Sequence, residues 1–164
     1  MKIKEFGHIA FNCKNQQKSV AFYRDILGCK EKFSLTYSDM IVSVKNSGYK
    51  VPKSFIKMLE KRKDKVWLTY IEIGEGTFLE LFDQLGAFLF HKAKPINFNY
   101  QHFALIVDDI YAVREELISK GVTIDTDISF GPDNTYQLWI HDPDGNKFEI
   151  MQYTDKSFQL IGRN

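Results

Sequence analysis

The sequence predicts an α+β fold built from two β-α-β-β-β modules, and three observations carry that prediction. FGHIAFNCKNQQKSVAFYRDILGCK, from Phe6, and YQHFALIVDDIYAVREELISKGVT, from Tyr100, share one pattern: a His-bearing apolar strand, then an amphipathic helix that stops at glycine. IEIGEGTFLEL, from Ile71, lies over IHDPDGNKFEI, from Ile140, at a constant offset of 69 residues. A chain of 164 residues has room for one ordinary domain or two small fused modules, which is what two such repeats require.

Each element has its own signal. In the first helix Val20, Tyr23, Ile26 and Leu27 recur at helical spacing, and in the second Ile110, Val113, Leu117 and Ile118 do so, with Gly28 and Gly121 as stops. In the second half of the repeat Glu75 overlies Asp144, Gly76 overlies Gly145 and Glu80 overlies Glu149. An acidic residue and a glycine make the turn, and a strand starts two or three residues later. Module 1 therefore covers about 3–90 and module 2 about 97–154, with GAFLFHKAKPINFNY as the crossover between them.

The copies differ in length. From His8 to Glu80 is 72 residues, whereas from His102 to Glu149 is 47, so module 1 carries about 25 extra, assigned to the stretch from Ser43 to Lys65. There VPKSFIKMLEKRKDK predicts an inserted helix near 52–65, opened by Pro52, with Phe55, Met58 and Leu59 on one face. Residues 45–65 hold eight Lys or Arg against two acidic residues. A solvated helix lying over the module accounts for that charge, and a lid that attracts an anionic substrate is the sharper alternative.

Composition narrows the function classes. Lys+Arg 22 against Asp+Glu 21 gives a net charge of +1, which argues against nucleic acid as a partner. No apolar run has the length of a signal peptide or of a membrane span, so a cytoplasmic protein without a membrane partner is expected. Cys13 and Cys29 are too few for a disulfide framework and form no CxxC motif, so both are expected as free thiols.

Four residues stand out against the apolar pattern. Strand alternation puts Leu79 and Leu81 on one face and Glu80 on the other, with Phe78 and Phe82, and Glu149 lies between Phe148 and Ile150. A lone carboxylate on such a strand costs several kcal/mol unless a partner, a metal or solvent offsets it. His8 and His102 each sit near the start of a mostly apolar strand. Taken singly, each has a bland reading as a hydrogen-bonded or surface residue. If a pseudo-twofold axis relates the modules, the two His and two Glu form an N2O2 set suited to one divalent metal ion: Zn, Ni, Co, Fe or Mn.

At these residues the chain resembles the vicinal oxygen chelate superfamily, and within it the glyoxalase I-like proteins. GHIAFNC with SVAFYRDILG, FLELF, QHFALIV and LWIHDPDGNKFEIMQ carry the likeness, and DPDGN with a Glu three residues on is its most specific part. The insertion near 45–65 does not match. The resemblance implies paired β-α-β-β-β modules forming an open barrel around a metal, commonly as a homodimer. It implies metal ligands at His8, Glu80, His102 and Glu149, with Glu149 as the catalytic base and Glu80 as the steadier ligand or the second proton relay.

The reaction so implied moves a proton between adjacent carbons of a thiohemiacetal or a related α-oxo compound, a carbon-sulfur lyase of the lactoylglutathione lyase kind. Asn12 stands where many glutathione-using members carry arginine, and Gln84 where they often carry asparagine. Those two positions and Trp139 are the candidate substrate contacts, and the partner is a small molecule, a thiol adduct among the possibilities. His141 is read as solvent-facing. An acyl-thioester epimerase, an extradiol-type dioxygenase and a non-catalytic binding or resistance protein share the scaffold, although a fourth ligand from Glu80 counts against the dioxygenase.

Overall fold

A computed structural model describes residues 6–48, 50–83 and 101–162, and the chain divides into two compact units, 1–92 and 93–164. The expected crossover over 86–100 and the candidate contact Gln84 lie outside the described residues.

In the first unit β1 (His8–Cys13) leads to α1 (Gln16–Ala21), which widens into a π-helical turn over Phe22–Ile26. Then come β2 (Lys30–Thr36), α2 (Tyr37–Asn46), α3 (Lys53–Glu60), β3 (Val66–Gly74) and β4 (Thr77–Asp83). The sheet order is β1-β4-β3-β2, with β1 parallel to β4 and the other pairs antiparallel. The second unit repeats this with β5 (Ala104–Ile106), α4 (Ile110–Ser119), β6 (Thr126–Phe130), β7 (Tyr136–His141) and β8 (Lys147–Gln152), in the order β5-β8-β7-β6, and closes on α5 (Phe158–Ile161). The architecture is the α+β, twice-repeated β-α-β-β-β arrangement that the sequence predicts.

Local chemistry explains the boundaries. Asn15 and Asp109 cap the N-termini of α1 and α4, each accepting backbone N–H bonds through its side chain. Gly28 and Gly121 follow their helices at φ +73° and +77°, a left-handed backbone conformation that strains any residue with a side chain. One face of each sheet is packed by its helix: Leu79 and Leu81 of β4, and Phe148 and Ile150 of β8, are almost fully buried. Each such side chain contributes about 1.5–3 kcal/mol of apolar burial.

Two details differ from the periodicity reading. The π-helical turn rotates the inner face of the first helix, so Ser19, Phe22 and Tyr23 are buried while Val20, Ile26 and Leu27 are only half-buried. In α4 it is Ile110 and Leu117 that go inside, and Ile118 is exposed because it lies one step round from Leu117.

The extra length of module 1 begins earlier than Ser43. Residues 37–65 separate β2 from β3, whereas only 131–135 separate β6 from β7, and the insertion holds α2 as well as α3. Thr36 caps α2 in a reciprocal box with Asp39. Tyr37, Ile41 and Leu59 form a small core with Phe55, Met58 and Trp67 against it, which is why two short helices persist outside the sheet. Among the described residues no helix is long and apolar enough to cross a membrane.

Candidate functional site

Sheet register puts the sequence-singled residues at equivalent places. In the first unit Ala10 of β1, Glu80 of β4, Tyr70 of β3 and Phe33 of β2 form one row across the sheet. In the second, Ala104 of β5, Glu149 of β8, Trp139 of β7 and Thr126 of β6 form the corresponding row. His8 and His102 lie two residues before the alanines of these rows, so strand alternation returns both to the face of their glutamate.

The consequence is one imidazole–carboxylate pair per unit. His8 Nε2 is 3.7 Å from Glu80 Oε2, and His102 Nε2 is 3.5 Å from Glu149 Oε2. Both separations exceed the 2.7–3.2 Å of a good N–H···O bond. They are close to the roughly 3.4 Å between two ligands of a tetrahedral cation bound at about 2.1 Å. The donor types and spacing of each pair therefore fit a divalent first-row metal. Among the described residues no three His, Cys, Asp or Glu side chains cluster, so each unit offers a pair and not a complete set.

The carboxylates are buried and the imidazoles are not. Side-chain exposure is 9% for Glu80 and 5% for Glu149, against 53% and 37% for His8 and His102, so the pairs can be approached from the histidine side. The two acids live in different surroundings. The Tyr70 hydroxyl donates to Glu80 Oε1, and that bond pushes the phenol up to about 12, leaving it a protonated donor at neutral pH. Among the described residues no side chain donates to Glu149; burial raises its carboxyl above the usual range, and the negative charge of Asp133 adds to the rise.

Trp139 lies edge-on to His102, with ring centroids 4.7 Å apart, and the Lys147 ammonium covers its other surroundings at 4.4 Å from the indole. Asn12 is exposed on β1, opposite Phe82 and on the face of His8 by alternation. His141 is exposed and pairs with the Asp125 carboxylate at 2.8 Å. Neither cysteine forms a disulfide among the described residues, Cys13 being buried and Cys29 half-buried, and burial raises the Cys29 thiol, which keeps it protonated.

The DPDGN turn is held by Asp142, which is 1% exposed. Its Oδ1 accepts from the backbone N–H of Asp144 and of Asn146, and its Oδ2 from the Asn146 side chain. Gly145 takes φ +86°, so the turn delivers β8, and with it Glu149, in a fixed register. A separate cleft in the first unit is lined by Lys14, Arg24, Arg62 and Lys65 among others, but touches neither His8 nor Glu80. Arg24 is already bonded to Asp25 and Glu31, and Arg62 to Asp83, so two of its cations are neutralised within the protein.

The profile of the Glyoxalase/Bleomycin resistance protein/Dioxygenase superfamily matches residues 5–150. The chain belongs to that superfamily. It is 24% identical over 152 residues to the uncharacterized protein YwbC of Bacillus subtilis (strain 168), covering 91% of this chain and 98% of that one. Among solved structures it is similar to a lactoylglutathione lyase from Agrobacterium tumefaciens, at TM-score 0.60 and 17% identity over 93% of this chain and 96% of the other. It is similar also to the genomically encoded fosfomycin resistance protein FosX from Listeria monocytogenes, at TM-score 0.57 and 15% identity over 94% and 97%. A superfamily member from Sphaerobacter thermophilus gives TM-score 0.61 at 19% identity over 92% and 98%. At these identities the structures speak for a shared glyoxalase fold.

Tyr70 was not among the residues that the sequence marked. Its signal was present: the same 69-residue offset, carried one residue back from Ile71, puts Tyr70 over Trp139.

Proposed function

We propose that this superfamily member is a metal-dependent isomerase or lyase of the glyoxalase I kind, moving a proton between adjacent carbons of a thiohemiacetal or related α-oxo compound. The observation that carries the reading is the repetition of one His–Glu pair, at metal-ligand spacing, in register-equivalent rows of the two units. His8, Glu80, His102 and Glu149 are the proposed ligands of one divalent ion, and superfamily members commonly use such an ion with small-molecule substrates. A homodimer is the proposed assembly.

When bound, a divalent cation supplies a Lewis acid for the negative charge that develops on adjacent substrate oxygens. The chain's own residues handle the proton. Glu149 takes it from the substrate carbon: burial and the neighbouring Asp133 raise its proton affinity, and no donor among the described residues holds its oxygens. Glu80, held by Tyr70, keeps a fixed orientation and suits the steadier role. Asn12, on the face of His8, and Trp139, against the His102 ring, are the proposed substrate contacts, with Gln84 as a further one.

Metal analysis of purified protein, followed by assay with methylglyoxal and a panel of thiols, tests the reading. One divalent ion per chain is expected, bound more weakly by His8→Ala, Glu80→Gln, His102→Ala and Glu149→Gln so that each purifies with less metal, and kept in full by the exposed change Glu60→Gln. Equal metal in Glu80→Gln and Glu60→Gln overturns the ligand set, and two ions per chain would mean that each pair binds alone. Turnover of an acyl thioester without thiohemiacetal turnover replaces the lyase with an epimerase. A protein without bound metal is the non-catalytic binder.

A further inference from the structure

The two half-sites differ at one register position, and that difference assigns a residue. Tyr70 and Trp139 stand opposite Glu80 and Glu149 respectively. Tyr70 reaches the carboxylate itself, donating to Glu80 Oε1. Its ring is fixed from both sides, stacked on Phe33 at 4.4 Å between centroids and meeting Phe78 edge-on at 5.9 Å. The hydroxyl therefore has little freedom to leave Oε1, and Oε2 is the oxygen left facing His8 Nε2. Indole has a single N–H donor, and Trp139 is packed instead against the His102 ring. The second unit thus steadies its imidazole, while the first steadies its carboxylate.

We propose that Tyr70 is a positioning residue of the metal centre, holding Glu80 Oε1 so that only Oε2 is presented to the cation. This rests on the metal-centre reading above. A ligating carboxylate whose second oxygen is bonded loses less freedom when metal arrives, and removing such an outer partner typically weakens binding about 10–100-fold. Glu149 has no counterpart donor among the described residues, so the two carboxylates enter the site with unequal mobility.

The test compares wild type, Tyr70→Phe, Glu80→Gln and the double variant, each loaded with Co(II) or with Zn(II) in competition with a chromogenic chelator. Phenylalanine preserves the stack on Phe33, so circular dichroism and melting stay near wild type. The expected result is Zn(II) affinity weaker by about 10–100-fold in Tyr70→Phe, a changed Co(II) visible spectrum, and no further loss when Tyr70→Phe is added to Glu80→Gln. Tyr111→Phe, an exposed change on α4, leaves both readouts alone. Wild-type affinity and spectrum in Tyr70→Phe overturn the assignment and leave the metal centre standing, as does an undiminished loss in the Glu80→Gln background. Wild type that binds neither ion overturns the metal centre and this assignment together.

Discussion

Replacing each buried glutamate by glutamine in the metal-free protein should move its stability in opposite directions, because the two acids are buried under different terms. Glu80 accepts from Tyr70. A hydrogen bond to a charged group contributes about 1.5–3 kcal/mol and a neutral one about 0.5–1.5, so Glu80→Gln costs about 1 kcal/mol. For a chain of this size that lowers the melting temperature by roughly 2–4 °C. Glu149 is even less accessible but has no donor among the described residues, and its carboxyl is raised by burial and by Asp133. Its ionised form therefore costs folding free energy at neutral pH, and Glu149→Gln should raise the melting temperature.

The sign follows from linkage: a carboxyl whose pKa is higher folded than unfolded stabilises the folded chain only while protonated, and that support is lost as pH rises through the folded value. The advantage of Glu149→Gln should thus be full at pH 7 and shrink as pH falls into the ordinary carboxylate range. Differential scanning fluorimetry of the chelator-stripped proteins across pH 4–8 reads both effects. A fall in melting temperature for Glu149→Gln at pH 7, equal to that of Glu80→Gln, would refute the claim that no hydrogen-bond donor compensates the second carboxylate.

Two further substitutions probe the scaffold. Asp142→Ala removes a buried carboxylate that accepts from two backbone N–H groups of its turn; a loss of about 2–3 kcal/mol, or roughly 4–12 °C in melting temperature, is expected, and Asp142→Asn should restore part of it. Leu59→Ala empties the small core beneath α2 and α3 and should cost about 2–3 kcal/mol, at the low end for leucine because an outlying cluster can collapse. Hydrogen exchange should then speed up in Tyr37–Asn46 and Lys53–Glu60 while β3 and β4 keep their protection.

The duplication was legible because it is written in the residues that turns and strands cannot exchange: glycines that need positive φ, and acids that interrupt an apolar alternation. Gly28 and Gly121 end equivalent helices, and Glu80 and Glu149 hold equivalent rows of the two sheets, as their places in the sequence repeat require. What escaped was chemistry without a periodic signature. Helix α2 announces itself by Thr36 and Asp39, but its buried face is only Tyr37 and Ile41, too sparse for a moment-based reading and satisfied by Leu59 from another helix.

The π-helical turn leaves no composition mark, yet it exchanges Val20 for Phe22 on the inner face. Tyr70 escaped for a third reason. In a strand a tyrosine reads as an ordinary β-former, and its hydroxyl acquires meaning only when register sets it opposite Glu80. Residues that act through a carboxylate are thus found by comparing the two rows of a duplicated sheet, where a change from tryptophan to tyrosine alters which partner is held.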